Sequence, residues 1–110
     1  MQSVSSGAVY NKLSWKTLSG NTLPNDSEYE ELSISVWVEA AEGYEVLYSN
    51  TYAKGQLGDY QNIIIGGYYI AANDFGLCNL TLLNNTLSIR NVYFGGTNYT
   101  SSASIKIRYR

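Results

Sequence analysis

The strongest constraint on the fold is a nine-residue run in which apolar and polar residues alternate. Residues 31–39 have the sequence ELSISVWVE, so aliphatic side chains occupy every second position. Side chains alternate between the two faces of a β-strand, whereas the apolar face of a helix recurs about every three to four residues. The run therefore predicts a strand with Leu32, Ile34, Val36 and Val38 on its buried face, as in an antiparallel sheet with one solvated face.

Short segments of the same kind, separated by turn signals, occur on both sides of this run. They lie at 15–18, 44–49, 61–65, 68–72, 77–83, 86–94 and 103–110, with a loop predicted at 50–59 and a turn at 73–76. Asn84-Asn85 is a hairpin signal, and Gly66-Gly67 indicates either a tight turn or a bulge inside one longer strand. About seven or eight such strands predict an all-β fold, an antiparallel, jelly-roll-like β-sandwich over residues 14–110.

The composition suits one small β domain. The chain has 110 residues and only 15% charged residues, and Asn, Ser, Thr, Gly and 11 Tyr supply most of the polarity. A chain of this length holds a core without disulfides or metals. The lone Cys78 is therefore predicted to be a buried, inert thiol.

Several classes of catalytic site are excluded by the absence of histidine. Ser-His and Cys-His nucleophiles and His-bearing zinc sites all require it. The carboxylates group at 28–31 and 39–45, where we interpret them as solvated loops rather than as a glycosidase pair. We expect a protein that is not an enzyme, with no cofactor and no metal site.

The charge pattern also argues against two kinds of partner. The net charge is −2, and no basic group is larger than the C-terminal set of Lys106, Arg108 and Arg110. A nucleic-acid reader normally presents a larger basic face to the phosphates. No stretch approaches the roughly 20 apolar residues of a membrane span. We expect neither nucleic-acid binding nor membrane insertion.

Residues 1–13 differ from the rest of the chain. Ser5 or Ser6 can cap a helix in which Val9 and Leu13 stand at i, i+4. Two turns of helix are marginal in water and need a partner surface. That surface is either the sandwich itself or the same helix of other copies.

The N-terminal segment resembles a stretch of phage and prophage tail-fibre or head-fibre proteins. There a V-x-S-G-[AG]-V-Y-x-x-L motif joins the shaft to a β-rich tip, and residues 4–13 match it. The segments WKTL at 15–18 and YFGGTNYT at 93–100 also look like such a tip, as do Leu23-Pro24, Glu30-Glu31-Leu32 and the end at Tyr109-Arg110. The resemblance implies a homotrimeric virion domain, made in the bacterial cytoplasm, that attaches to a bacterial surface receptor, often a glycan.

This resemblance also implies where copies of the chain would meet. Val4, Val9 and Leu13 would share one stripe of the helix, so segment 1–13 would connect and trimerise the domain. Trp37 lies opposite the aliphatic face of its strand. It is exposed, covered by a loop or buried between subunits, and in a fibre we favour the subunit interface.

Two glycine-containing segments offer the aromatic and amide groups that bind sugars. The predicted ligand-binding residues are Tyr68, Tyr69, Tyr93, Asn98, Tyr99 and Thr100. The alternative for each tyrosine is a place in the core or in a subunit interface. Two other functions stay open: a structural virion part without a ligand, and a cellular carbohydrate-binding or adhesin module.

Overall fold

The computed structural model describes residues 14–39, 43, 45–58 and 63–110. Its eight strands are β1 (Lys16–Thr17), β2 (Glu31–Glu39), β3 (Glu45–Ala53), β4 (Ile63–Ala71), β5 (Asp74–Leu83), β6 (Thr86–Phe94), β7 (Thr97–Asn98) and β8 (Ser104–Tyr109). They form two antiparallel four-stranded sheets, which confirms the predicted β-sandwich. The predicted helix over 1–13, with Val4, Val9 and Leu13, lies outside the described residues.

The first sheet has the order β1-β8-β2-β3 and is built around β2. Each residue of β2 has a partner in β3, from Glu31 opposite Ala53 to Glu39 opposite Glu45. The four alternating aliphatic residues of β2 are all buried, as predicted. The observed bounds of β2 equal the predicted ones, because strict alternation with one buried face determines the register of a strand.

The second sheet has the order β4-β5-β6-β7, so each strand pairs with the next one along the chain. Asn84 and Asn85 link β5 to β6 with φ values of 51° and 62°. Two consecutive positive φ angles are the requirement of the tight hairpin turn that asparagine tolerates. Gly66 and Gly67 lie inside β4, and the register shifts between Ile64 and Gly66. Of the two alternatives for this glycine pair, the bulge is therefore correct.

Two strands extend by at least three residues beyond their predicted bounds, and the short strand β7 was not predicted. β3 continues to Ala53, through the first residues of the predicted loop, and β5 begins at Asp74, inside the predicted turn. The added part of β3 is polar and mostly exposed, so its own sequence carries no apolar alternation there. It is a strand because the backbone of β2 pairs with it.

A single apolar cluster fills the space between the sheets. Its fully buried side chains include Ile34 and Val36 from the first sheet and Leu80, Leu87 and Val92 from the second. Ile107 of β8 is also buried, with Ile105 and Tyr109 packed at the margin, as the C-terminal alternation predicts. Burial of apolar surface on this scale provides the main stabilisation of such a fold.

Cys78 belongs to this cluster, and we expect it to be unreactive in the folded protein. Its side chain has no solvent-exposed surface, and burial raises the pKa of its thiol to about 12. Only the thiolate is nucleophilic, so at pH 8 the buried side chain stays in its unreactive thiol form. A thiol-specific chromogenic disulfide should label Cys78 promptly in urea and not in buffer. Equal labelling rates in the two solvents would contradict the burial of this side chain.

Candidate functional site

Three aromatic side chains cross the outer face of the second sheet in a row. Tyr69 of β4 lies opposite Phe75 of β5, and the Phe75 and Tyr93 rings have centroids 5.2 Å apart with an interplanar angle of 31°. Tyr69 is 74% exposed, and Phe75 and Tyr93 are half-buried. None of the three belongs to the core cluster. We call Tyr69, Phe75, Tyr93 and the adjacent Asn98 the aromatic row.

Asn98 ends the row at the edge strand. It lies opposite Tyr93 in the register of β6 and β7, and its Nδ2 donates a hydrogen bond to Tyr93 Oη at 3.4 Å. Its Oδ1 accepts hydrogen bonds from Thr100 N at 2.9 Å and Thr100 Oγ1 at 2.6 Å. These two bonds orient the amide, so that its NH2 group is directed toward the hydroxyl of Tyr93.

Thr100 therefore supports the row rather than forming its surface. Its Oγ1 also accepts a hydrogen bond from the backbone N–H of Val92 at 2.9 Å. The hydroxyl thus joins the turn that follows β7 to the buried strand β6. A hydroxyl that both donates and accepts within the protein leaves little hydrogen-bonding capacity for a ligand.

Tyr68 occupies the opposite face of β4 from its neighbour Tyr69. Its hydroxyl donates to Asp74 Oδ1 at 3.1 Å and accepts from the backbone N–H of Gly95 at 2.9 Å. Its ring meets Phe94 edge-on, with centroids 5.8 Å apart. Tyr68 therefore fastens the β4–β5 hairpin to the Gly95-Gly96 turn beneath the row.

Two other tyrosines stabilise the same end of the sandwich from within. The Tyr48 hydroxyl donates to the carbonyl oxygen of Tyr93 at 2.8 Å. Burial, with smaller effects of Tyr68 and Cys78, raises the pKa of Tyr48, so this hydroxyl stays protonated and remains a donor. Tyr99 is half-buried against the core, and its backbone N–H donates to the carbonyl of Val92.

The structure thus separates the six predicted ligand-binding residues into two groups. Tyr69, Tyr93 and Asn98 lie together on the exposed row, while Tyr68, Tyr99 and Thr100 hold it in place. Phe75, the third ring of the row, was not predicted, because Asn73 to Gly76 has the composition of a turn. The spacing of Phe75 and Leu77 at i, i+2 was the available signal, since it continues the alternation of β5 toward its start.

The chemistry of the row suits binding rather than bond cleavage. Three rings give an apolar surface that matches the C–H face of a pyranose, and the amide of Asn98 supplies donors for a hydroxyl at its edge. No described residue set contains three or more Cys, Asp or Glu side chains placed to hold a metal ion. The row therefore offers stacking and hydrogen bonding as its means of recognition.

Trp37, the fourth predicted interface residue, lies half-buried on the outer face of the first sheet. Its partners across the strands are Leu47 of β3 and Ser104 of β8. Its place between subunits stays a prediction.

In the part of the chain that the structure describes, no helix has the length and apolar character needed to cross a membrane. Comparison of this chain with protein-family models, curated proteins and solved structures gives no match. Function must accordingly be inferred from the chemistry of the aromatic row and its surroundings.

Proposed function

We propose that this chain is a non-catalytic glycan-binding domain that serves as the tip of a phage fibre and attaches it to a bacterial surface. The observation that carries the proposal is the aromatic row, in which three rings and an oriented amide lie side by side on an exposed sheet face. Isolated exposed aromatic residues are common, but a contiguous set is typical of a binding surface.

The row is held rigid before any ligand arrives. The backbone of Tyr93 is fixed by Tyr48, the Asn98 amide by Thr100, and the β4–β5 hairpin by Tyr68. A preorganised surface loses little conformational entropy on binding. Each ring that stacks on a sugar is expected to contribute about 1 kcal/mol beyond simple area burial. A single site of this kind binds weakly.

A trimeric fibre would convert such weak sites into firm attachment. The match of residues 4–13 to the shaft-to-tip segment of phage fibres supports this arrangement. Three linked sites on one particle raise the overall avidity by roughly a hundredfold to ten-thousandfold over one site. Weak individual binding and strong adsorption of the virion are therefore compatible.

The proposal is tested by changing the row and measuring glycan binding. Ligands are first identified on an array of bacterial surface glycans, and their affinities are then measured by calorimetry. Tyr69→Ala and Tyr93→Ala should each weaken binding about tenfold, because each removes one stacking ring. Phe75→Ala should act in the same direction, while circular dichroism stays unchanged.

Ile64→Ala is the matched control, because Ile64 is exposed on the same strand as Tyr69 but lies outside the row. It should bind as the parent does. Row variants that bind with unchanged affinity would place the site elsewhere. Failure to bind any bacterial glycan would favour a structural virion part, and a monomeric mass in sedimentation would favour an independent cellular module.

A further inference from the structure

The outer face of the first sheet carries a shallow groove of about 330 Å³, on the opposite side of the sandwich from the aromatic row. It is lined by Ser35, Trp37, Glu45, Leu47, Lys106 and Arg108. These residues come from β2, β3 and β8, three adjacent strands of one sheet. We call this set the Trp37 groove.

The strand registers arrange the groove in successive rows. Ser35 of β2 lies between Lys106 of β8 and Ser49 of β3. The Oγ atoms of Ser35 and Ser49 are 3.2 Å apart. The next row along the strands holds Trp37 and Leu47. Two hydroxyls and a cation therefore border one edge of the indole, and Leu47, 62% exposed, extends its apolar surface.

The two cations of the groove are not neutralised within the described structure. Lys54 and Arg110 form ion pairs with Glu30 and Glu31, whereas Lys106 and Arg108 have no acidic partner among the described residues. Both are exposed. In a chain with a net charge of −2, two unpaired cations beside an accessible indole are complementary to an anionic ligand.

We propose, in place of the subunit interface predicted for Trp37, that the Trp37 groove is a second saccharide site, specific for a sugar that carries a carboxylate. The indole stacks on the C–H face of the pyranose, while Lys106 and Arg108 bind the carboxylate through charge-assisted hydrogen bonds. The hydroxyls of Ser35 and Ser49 meet the ring hydroxyls. Glu45, at the other end of the groove, repels a carboxylate and so fixes the direction in which the sugar lies.

The dimensions and charge of the groove favour this ligand over a macromolecule. Its volume falls at the lower end of the range for small-molecule sites, about 300–1,000 Å³. Two cations are too few for the phosphate backbone of a nucleic acid, which needs a broad basic surface. A single uronic acid residue supplies one carboxylate, one apolar face and several hydroxyls, which together match the groups present.

Binding of a sugar in the groove can be measured through the fluorescence and the indole N–H resonance of Trp37. The chain has two tryptophans, and Trp15→Phe leaves Trp37 as the only one. Phenylalanine keeps an aromatic ring beside Arg110, whose Cζ lies 4.2 Å from the Trp15 ring centroid. In this background, tetragalacturonate and tetraglucuronate should quench Trp37 fluorescence and shift its indole N–H resonance. Their carboxyl-reduced, neutral counterparts should bind at least tenfold more weakly.

Charge removal tests the assignment of the two cations. Lys106→Ser and Arg108→Ser should each weaken binding of the acidic tetrasaccharide about tenfold, and added salt should weaken binding by the parent. Lys16→Ser is the matched control, because Lys16 is an exposed cation of the same sheet that lies over the Tyr109 ring instead. It should leave the affinity unchanged. Tyr69→Ala should also leave it unchanged, which separates this site from the aromatic row.

Three results would overturn the proposal. The first is equal affinity for acidic and neutral sugars. The second is no change in the Trp37 signals with millimolar concentrations of either acidic tetrasaccharide. The third is a self-association of the chain, measured by sedimentation, that Trp37→Ala abolishes, since the groove would then be covered by a second copy.

Discussion

Leu80→Ala is expected to lower the free energy of unfolding by about 3 kcal/mol, because it opens a cavity at the centre of the sandwich. Leu80 lies in the middle of β5 with none of its surface exposed, and it pairs with Ile89 of β6 and Ile63 of β4. The loss combines the transfer free energy of the removed carbons with the packing contacts that their neighbours can no longer make. Urea unfolding followed by circular dichroism gives the difference directly.

The same strand contains the control for this substitution. Leu83 is also in β5, but 54% of its surface is exposed. Leu83→Ala removes the same atoms from a site that is already solvated, so its expected cost is less than about 1 kcal/mol. Equal losses for Leu80→Ala and Leu83→Ala would mean that the two sheets do not enclose the core described for them.

Gly76→Ala is expected to cost about 3 kcal/mol, although it adds only one methyl group. A Cβ at Gly76 would overlap the hydroxyl of Tyr48 and the ring of Tyr68. Both side chains support the aromatic row, so the variant should also lose affinity for the glycan proposed as the ligand of that row. The decisive feature is the close approach of these two tyrosines to a buried backbone position.

A double-mutant cycle with Tyr68→Ala isolates this steric effect. Removal of the Tyr68 ring relieves one of the two overlaps and leaves space into which the Tyr48 side chain can shift. The combined variant should therefore be more stable than the sum of the single losses implies. Differential scanning calorimetry of the four proteins provides the comparison. Additive losses would show that Gly76→Ala acts through Tyr48 or the backbone of β5 rather than through contact with Tyr68.

The fold was predictable where the alternation of one strand suffices to define it. β2 lies at its predicted bounds, and β8 lies within one residue of its own, because a regular apolar face sets where each strand is buried. β6 also lies at its predicted bounds, although its register shifts opposite Asn79 and Leu80. The second half of β3 was not predictable in this way. It contains Asn50 and Thr51, whose side chains are exposed, and only its pairing with β2 makes it a strand.

The segments that form the candidate site were predictable, but the residues of those segments that face the solvent were not. Uninterrupted alternation from the buried Ile63 and Ile65 would place Tyr68 outside and Tyr69 inside. The bulge between Ile64 and Gly66 reverses that order, so Tyr69 is the exposed residue. A bulge depends on the backbone of the partner strand, and no feature of residues 63–69 alone reveals which of the two tyrosines faces the solvent.

The exposed rings and the residues that support them form two separate sets, so substitutions in one set need not disturb the other. Tyr69, Phe75 and Tyr93 are absent from the core, whereas Tyr48, Tyr68 and Gly76 make the contacts that keep this end of the sandwich in shape. Replacements in the outer set, made one residue at a time, therefore change the exposed surface without removing a core contact, whereas replacements in the inner set cost stability. New specificities would then arise without passing through unstable intermediates.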